Sequence, residues 1–271
     1  MIRRGAVVVP ACNEEERVGR GMASVAAAVA HLRAGSPVEP PSVDVVLAAD
    51  SCTDRTVERA WAAWAASCPR EDSARLEVLS GQWRSAGGAR AAAARPALAV
   101  GPRPGWIAST DADTAVPPHW LSHQLERAAH GVDAVLGTVE PDPAECPEAV
   151  YRLWQSEHTL AEGHPHIHAA NMGVRAQSYE RAGGFPPLEC GEDEALVAGL
   201  HRTGARVEAT DRIRAITSAR LEGRAELGFA HHLLSLAHLA GQPIPTPDAG
   251  VSAGAAERGR DPRHFAPRGN A

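Results

Sequence analysis

The sequence predicts an α/β fold: a mainly parallel, Rossmann-like sheet flanked by helices. Two observations predict it. Short Val- and Ala-rich apolar runs alternate with segments of helical period, the pattern of βαβ units. Each of the first, second and fourth runs then stops in a polar or acidic cluster, where the strand ends of such sheets meet a ligand crevice. Residues 6–10 form the first buried strand, and residues 14–33 follow with Val18, Met22, Val25, Val29 and Leu32 at helical spacing. Residues 43–49 are a second strand, and 53–66 a second helix with Thr53 or Asp54 near its N-cap. Residues 76–79, an Ala-rich helix over 86–100 and a strand over 105–110 complete the alternation.

Beyond Pro117-Pro118 the pattern changes. Helices are expected over 119–130, 147–162, 192–203 and 224–239, with strands over 133–139, 169–174, 206–209 and 213–216. From residue 241 onward Pro, Gly, Ala and charge dominate without apolar period, the composition of a mobile tail. No internal repeat is visible.

The chain has 271 residues, enough for one substantial core, and a net charge of −6, which argues against non-specific nucleic-acid binding. All 27 basic residues are Arg, which, with abundant Ala, Gly and Pro, reads as GC-rich bacterial coding and carries no mechanism. No window reaches the roughly 20 apolar residues of a transmembrane span, and no secretory segment opens the chain. The five Cys (12, 52, 68, 146 and 190) are odd in number and lack a Cys-x-x-Cys pair. They read as reduced thiols of a cytoplasmic protein.

Chemistry concentrates at Asp111-Ala112-Asp113, directly after the fourth apolar run. Residues i and i+2 of a strand share a side, so both carboxylates can face one ligand. Hard oxygen donors in that arrangement suit Mg²⁺ or Mn²⁺ carrying phosphate oxygens, although the tripeptide alone equally describes a solvated turn. Asn13-Glu14-Glu15 and Asp50-Ser51-Cys52-Thr53-Asp54 fall at the ends of the first two strands.

In this order the segments resemble the family 2 glycosyltransferases with the GT-A nucleotide-sugar fold, over residues 7–217. Val7-Val8-Val9-Pro10-Ala11-Cys12-Asn13-Glu14-Glu15 is similar to the family's opening strand and turn, and Asp50-Ser51-Cys52-Thr53-Asp54 to its Asp-Asp-Gly-Ser-Thr-Asp segment. Asp111-Ala112-Asp113 matches its metal motif, and Gly183-Gly184-Phe185-Pro186 with Gly191-Glu192-Asp193-Glu194 its downstream acidic motif. The resemblance implies a metal-dependent enzyme, using Mn²⁺ or Mg²⁺, that moves one sugar from a UDP- or GDP-sugar donor to an acceptor it does not name. It divides the chain into a nucleotide-sugar-binding half (1–117), an acceptor-binding half (118–240) and the tail (241–271). Oligomeric state is left open, a homo-oligomer included.

The resemblance also implies roles. Asp113 binds the metal, and Asp111 contacts the ribose or reaches the metal through water. Asp50 holds the base, while Pro10, Asn13 and Glu15 shape the nucleotide pocket; acids in a first helical turn are, however, favoured there regardless of function. Arg84, Gly87, Gly88 and Arg90 lie beside the diphosphate, where N–H groups and a guanidinium serve, though Arg90 reads equally as an exposed helix residue. Asp193, beside Glu192, is the candidate catalytic base, since direct displacement needs a carboxylate to take the acceptor's proton. A capping acid is the plain alternative. His164, His166 and His168 form a dense cluster that suits the acceptor pocket or, less well, a metal, although loop histidines are commoner than ligands. Trp154, Asn171 and Met172 are expected on the acceptor side, although core packing explains Met172 as well.

Several departures qualify the resemblance. Ala49 stands where a second Asp is usual, and Cys12 where an aromatic often stacks on the base. The Gln-x-x-Arg-Trp motif of processive synthases is absent. The Thr217-Ser218-Ala219-Arg220 segment offers no His as a third metal ligand. An inverting transferase is the expected reading. The alternatives are a retaining GT-A enzyme acting on a small phosphorylated acceptor, a nucleotidyltransferase, and a non-catalytic sugar-nucleotide binder. A nucleotidyltransferase would carry a Gly-rich basic first turn, which Pro10-Ala11-Cys12-Asn13 does not supply.

Overall fold

The Val-rich opening run becomes β1 (Arg4–Ala11), which pairs in parallel with β2 (Ser42–Asp50) on one side and β4 (Trp106–Ser109) on the other. The computed structural model describes residues 2–35, 40–68, 74–99, 105–223 and 228–242. β3 (Ala74–Gly81) extends the sheet beyond β2. With β5 (Thr114–Ala115), β6 (Ala134–Pro141), β7 (Met172–Arg175) and β8 (Val207–Thr217), the eight strands run β3-β2-β1-β4-β7-β6-β8-β5. β7 is antiparallel to both its neighbours, β4 and β6, and β5 is antiparallel to β8. Strand order reverses between β1 and β4. The crevice at their carboxyl ends is therefore the ligand position of an open α/β sheet.

Side-chain alternation along β1 and β2 fills two cores. Val7, Val9, Ala11, Val45 and Leu47 pack with Met22 and Val29 of α1 (Val18–Ala34), Trp64 of α2 (Thr56–Ser67) and Trp120 of α4 (Trp120–Ala129). Val8, Val46 and Ala48 face the other way, onto Ala89 and Ala93 of α3 (Ala86–Ala99), Tyr179 of α6 (Ala176–Ala182) and Leu196 and Leu200 of α7 (Glu192–Arg202). A third cluster joins α5 (Glu148–Glu157) to α8 (Phe229–Leu239) through Val150, Trp154, Leu233 and Leu236.

The structure departs from the sequence reading in several places. α1 and α2 start at Val18 and Thr56, later than expected, because the preceding residues are held in turns. The Glu14 N–H donates to Thr56 Oγ1 (2.7 Å), and Asp54 Oδ1 accepts the Thr56 N–H (3.0 Å). α5 stops at Glu157 instead of 162, where extended His158 stacks its ring on Trp154 at 4.3 Å. The strands expected at 206–209 and 213–216 are one strand, β8, which keeps pairing through a register shift opposite Gly137 and Val139. The strand expected from residue 169 begins as a 3₁₀ turn, Ala169–Asn171. There Asn171 is fully buried, donating to the Thr138 (2.8 Å) and Ile213 (2.7 Å) carbonyls and accepting from Trp120 Nε1 (2.8 Å). Asn171 and the 1 % exposed Met172 are thus core residues and do not line the acceptor side. α6 and β5 are additions too short to show a period. Residues 100 and 224–227, expected in helices, and the tail from 243 lie outside the described residues.

Candidate active site

The loops after β1 and β2 are laced together before any ligand arrives. Asn13 Oδ1 accepts the Thr53 N–H (2.8 Å), and the Glu15 N–H donates to Asp54 Oδ2 (3.0 Å). Glu15 in turn accepts from the Arg55 N–H (3.2 Å) and Nε (3.3 Å). Asp50, 8 % exposed, accepts the Trp83 N–H (2.8 Å) and the Ser51 hydroxyl (3.2 Å), tying β2 to the loop before α3. In that loop Ser85 Oγ accepts the Gly88 N–H (3.0 Å) at the α3 N-terminus. Asn13, Ser51 and Arg84 all have positive φ (49°, 54° and 57°) without being Gly. Backbone strain of this kind is retained where surrounding contacts over-determine it, and it gathers at binding sites. Pro10, half-buried, is the penultimate residue of β1.

Asp111 and Asp113 project from the turn between β4 and β5, which lies against α1. A Cβ on Gly21 would sit 2.5 Å from the Ala112 carbonyl oxygen, so only glycine lets α1 approach this closely. Arg90 is 3 % exposed and directs one nitrogen to Asp111 and another to Glu192. Its guanidinium also lies 5.9 Å over the Phe185 ring. The reach to Glu192 depends on Gly87, where a Cβ would overlap the Pro186 carbonyl oxygen. Burial opposes the Arg90 charge, but the Asp111 and Glu192 carboxylates hold its pKa above the ordinary value. Burial raises Glu192, with Arg90 opposing.

Asp113 is held on its other flank. Its Oδ2 lies 3.0 Å from Arg220, which also grips Glu14 through two bonds of 2.7 Å. Burial, then the Asp111 charge, push the Asp113 carboxyl up to about 6 even though Arg220 pulls it down. Four carboxylates (Glu14, Asp111, Asp113, Glu192) thus face two guanidiniums (Arg90, Arg220). That corner lacks positive charge and presents hard oxygen donors, so its residues fit a divalent cation. Among the described residues, no group of three or more His, Cys, Asp and Glu side chains is arranged to hold an ion.

Asp193 opens α7 after Gly191, which has φ 78°. Its Oδ2 accepts the Ala169 N–H (3.0 Å) and its Oδ1 the Glu194 N–H (2.9 Å). His168, just before Ala169, is pushed down to about 4 by burial, with Asp193 opposing.

Glycosyl transferase family 2 matches residues 6–179, more than half of the chain. The chain belongs to this family. Its α/β sheet is the GT-A fold. It is similar in fold to S. aureus TarS 1–349 in complex with UDP-GlcNAc, at TM-score 0.57 and 15 % identity over 88 % of this chain and 65 % of that one. It is also similar to a mannosyltransferase from Pyrobaculum calidifontis in complex with GDP-Man and Mn²⁺, at TM-score 0.54 and 19 % identity over 91 % of this chain and 66 % of that one. The chain therefore spans less than two thirds of these relatives, and 42 % of the longer TarS chain. No curated protein sequence matches it significantly. Among the described residues, no helix is long and apolar enough to cross a membrane.

Sequence reasoning missed Arg220 and the part played by Glu14. The segment 217–220 holds no metal-binding His, and the signal for Arg220 is a basic side chain placed where a site rich in acids needs one. Arg90 proves buried, not exposed, because an Ala-rich helix gave no apolar stripe from which to orient it.

Proposed function

We propose that this transferase moves one sugar from a nucleoside diphosphate sugar to an acceptor hydroxyl, with inversion, using Mn²⁺ or Mg²⁺. The observation that carries the reading is the buried Arg90, which pairs with Asp111 and Glu192 and feels the charge of Asp193, so that the acids after β4 and at the start of α7 meet at one corner. Asp113, with Asp111, would hold the cation, which would supply positive charge against the negative charge that grows on the departing diphosphate. Asp50, Pro10, Asn13 and Glu15 frame the nucleoside. Arg84 and the start of α3 face the diphosphate, with the Gly88 N–H itself capped by Ser85, and Arg90 acts from behind by fixing Asp111 against Glu192. Asp193, oriented by the Ala169 N–H, takes the acceptor's proton as the hydroxyl attacks the anomeric carbon. Glu192 shares that helix start and holds it to Arg90. A cytoplasmic location is part of the same reading.

NMR of the product's anomeric configuration tests inversion: a retained configuration removes Asp193 as the base of a direct displacement.

A further inference from the structure

The acceptor half carries an array of rings that the donor chemistry does not use. Trp154 stacks on His158 (4.3 Å between centroids), His158 on His166 (4.9 Å), and His166 on both His164 (5.7 Å) and His168 (6.1 Å). Buried ring nitrogens normally find partners. Here both nitrogens of His164, which is 4 % exposed, Nε2 of His168 and the indole N–H of fully buried Trp154 have none. The array adjoins the proposed base, because Ala169, next to His168, donates its N–H to Asp193.

We propose that this array is the acceptor subsite and that it recognises a neutral, polyhydroxylated acceptor, a sugar or glycoside. The inference rests on the transferase reading above and adds the acceptor's class.

The polar edges are mixed in kind. His166 Nε2 accepts the Thr159 N–H (2.9 Å), so its proton is on Nδ1, while His158 Nδ1 donates to the Trp154 carbonyl (2.8 Å), leaving Nε2 as an acceptor. Between them the rings thus offer both donor and acceptor edges, as a hydroxyl does, whereas a phosphate or carboxylate accepts only. The nearby charges are acids or guanidiniums already engaged by acids: Asp193 acts on His168 and on Arg90, Asp211 acts on His164 and binds Arg214, which also meets Glu140, and Glu157 lies 3.3 Å from His232 beside His158. Burial first, then neighbouring imidazoles, lower His166 and His168, keeping them uncharged at neutral pH. An anionic acceptor meets no cation in this array.

The test uses the full chain labelled with ¹⁵N at histidine, with and without UDP or GDP and Mg²⁺. Methyl glycosides of glucose, mannose, galactose and N-acetylglucosamine are titrated in, with glycerol 3-phosphate in parallel, and long-range ¹H–¹⁵N spectra read the ring nitrogens. The expected result is a saturable shift of the His164 and His168 nitrogens with at least one neutral glycoside and none with glycerol 3-phosphate. His164→Gln and His168→Phe should each weaken that glycoside by about tenfold or more. Their nucleotide-induced stabilisation should stay at the wild-type level, which shows that they fold. No shift with any glycoside, or a shift with glycerol 3-phosphate alone, overturns the inference. A protein that moves these nitrogens with a glycoside but binds no nucleotide overturns the transferase reading instead.

Discussion

The donor edge and the acceptor side of this protein are finished to different degrees. At the ends of β1, β2 and β4, Asn13, Glu15, Asp50 and Asp54 are fixed by bonds between loops, and strained backbone at Asn13, Ser51 and Arg84 is held in place. On the acceptor side of the proposed function, buried ring nitrogens of His164, His168 and Trp154 are left without partners; at the donor edge the buried atoms so left include Ser109 Oγ, Thr110 Oγ1 and Arg90 Nε. The difference teaches that, on the proposed function, the loops framing the nucleotide are preorganised, whereas the histidine rings would gain their partners from a guest. Preorganised groups act without reorganising during reaction.

The largest expected effect sets the two regions apart directly. Asp193→Asn should lower turnover by about 10³-fold, the scale of a lost general base, while nucleotide affinity measured by calorimetry stays near wild type. Turnover within about tenfold of wild type would show that the acceptor side does not supply the base. Next, Arg90→Leu leaves Glu192 as a buried, unpaired carboxylate and the half-buried Asp111 without its partner, and urea unfolding should show a loss of about 3 kcal/mol. Arg90→Lys should recover only part of it, since one ammonium cannot bridge both acids with a planar fork. An undisturbed Arg90→Leu variant would mean that the donor edge is not rigid in the sense argued here. A smaller effect is expected at Gly87→Ala: overlap with the Pro186 carbonyl oxygen should cost about 1–3 kcal/mol and raise the KM for the donor, because α3 must withdraw from Glu192.

The smallest effect is a pH dependence. In the folded protein Asp113 sits at about 6, above its ordinary 3.8, so folding takes up a proton between those values. Without metal, this group's contribution is fully present below about pH 4 and is lost as pH rises through 6, up to about 2–3 kcal/mol. Thermal unfolding of metal-free protein across that window should show the decline relative to Asp113→Asn. Equal slopes would mean that Asp113 is neutralised by Arg220 and that the corner has no charge deficit.

The sequence reveals the two regions unequally. β3 is an edge strand with Arg75 and Glu77 exposed, whereas β1, β2 and β4 are legible because parallel strands buried on both faces appear as continuous apolar runs whose polar or acidic ends mark the crevice. Asp111 and Asp113 were found for the same reason. Arg220 was not, since it meets Glu14 across 206 positions of sequence, and a pairing set by tertiary approach leaves no local period. α6, β5 and the early end of α5 were hidden likewise: Tyr179 packs on Phe185 and His158 on Trp154 through contacts that spacing alone does not encode. The histidines were visible as a cluster, but their stacking and missing partners belong to the folded chain.

The most direct test of the central claim is a thermal-shift panel of UDP, GDP and TDP with and without Mn²⁺, on wild type and Asp113→Ala. Stabilisation by at least one nucleotide that requires Mn²⁺ and disappears in Asp113→Ala is the predicted result. No response to any nucleotide, or a response unchanged in the variant, would contradict it.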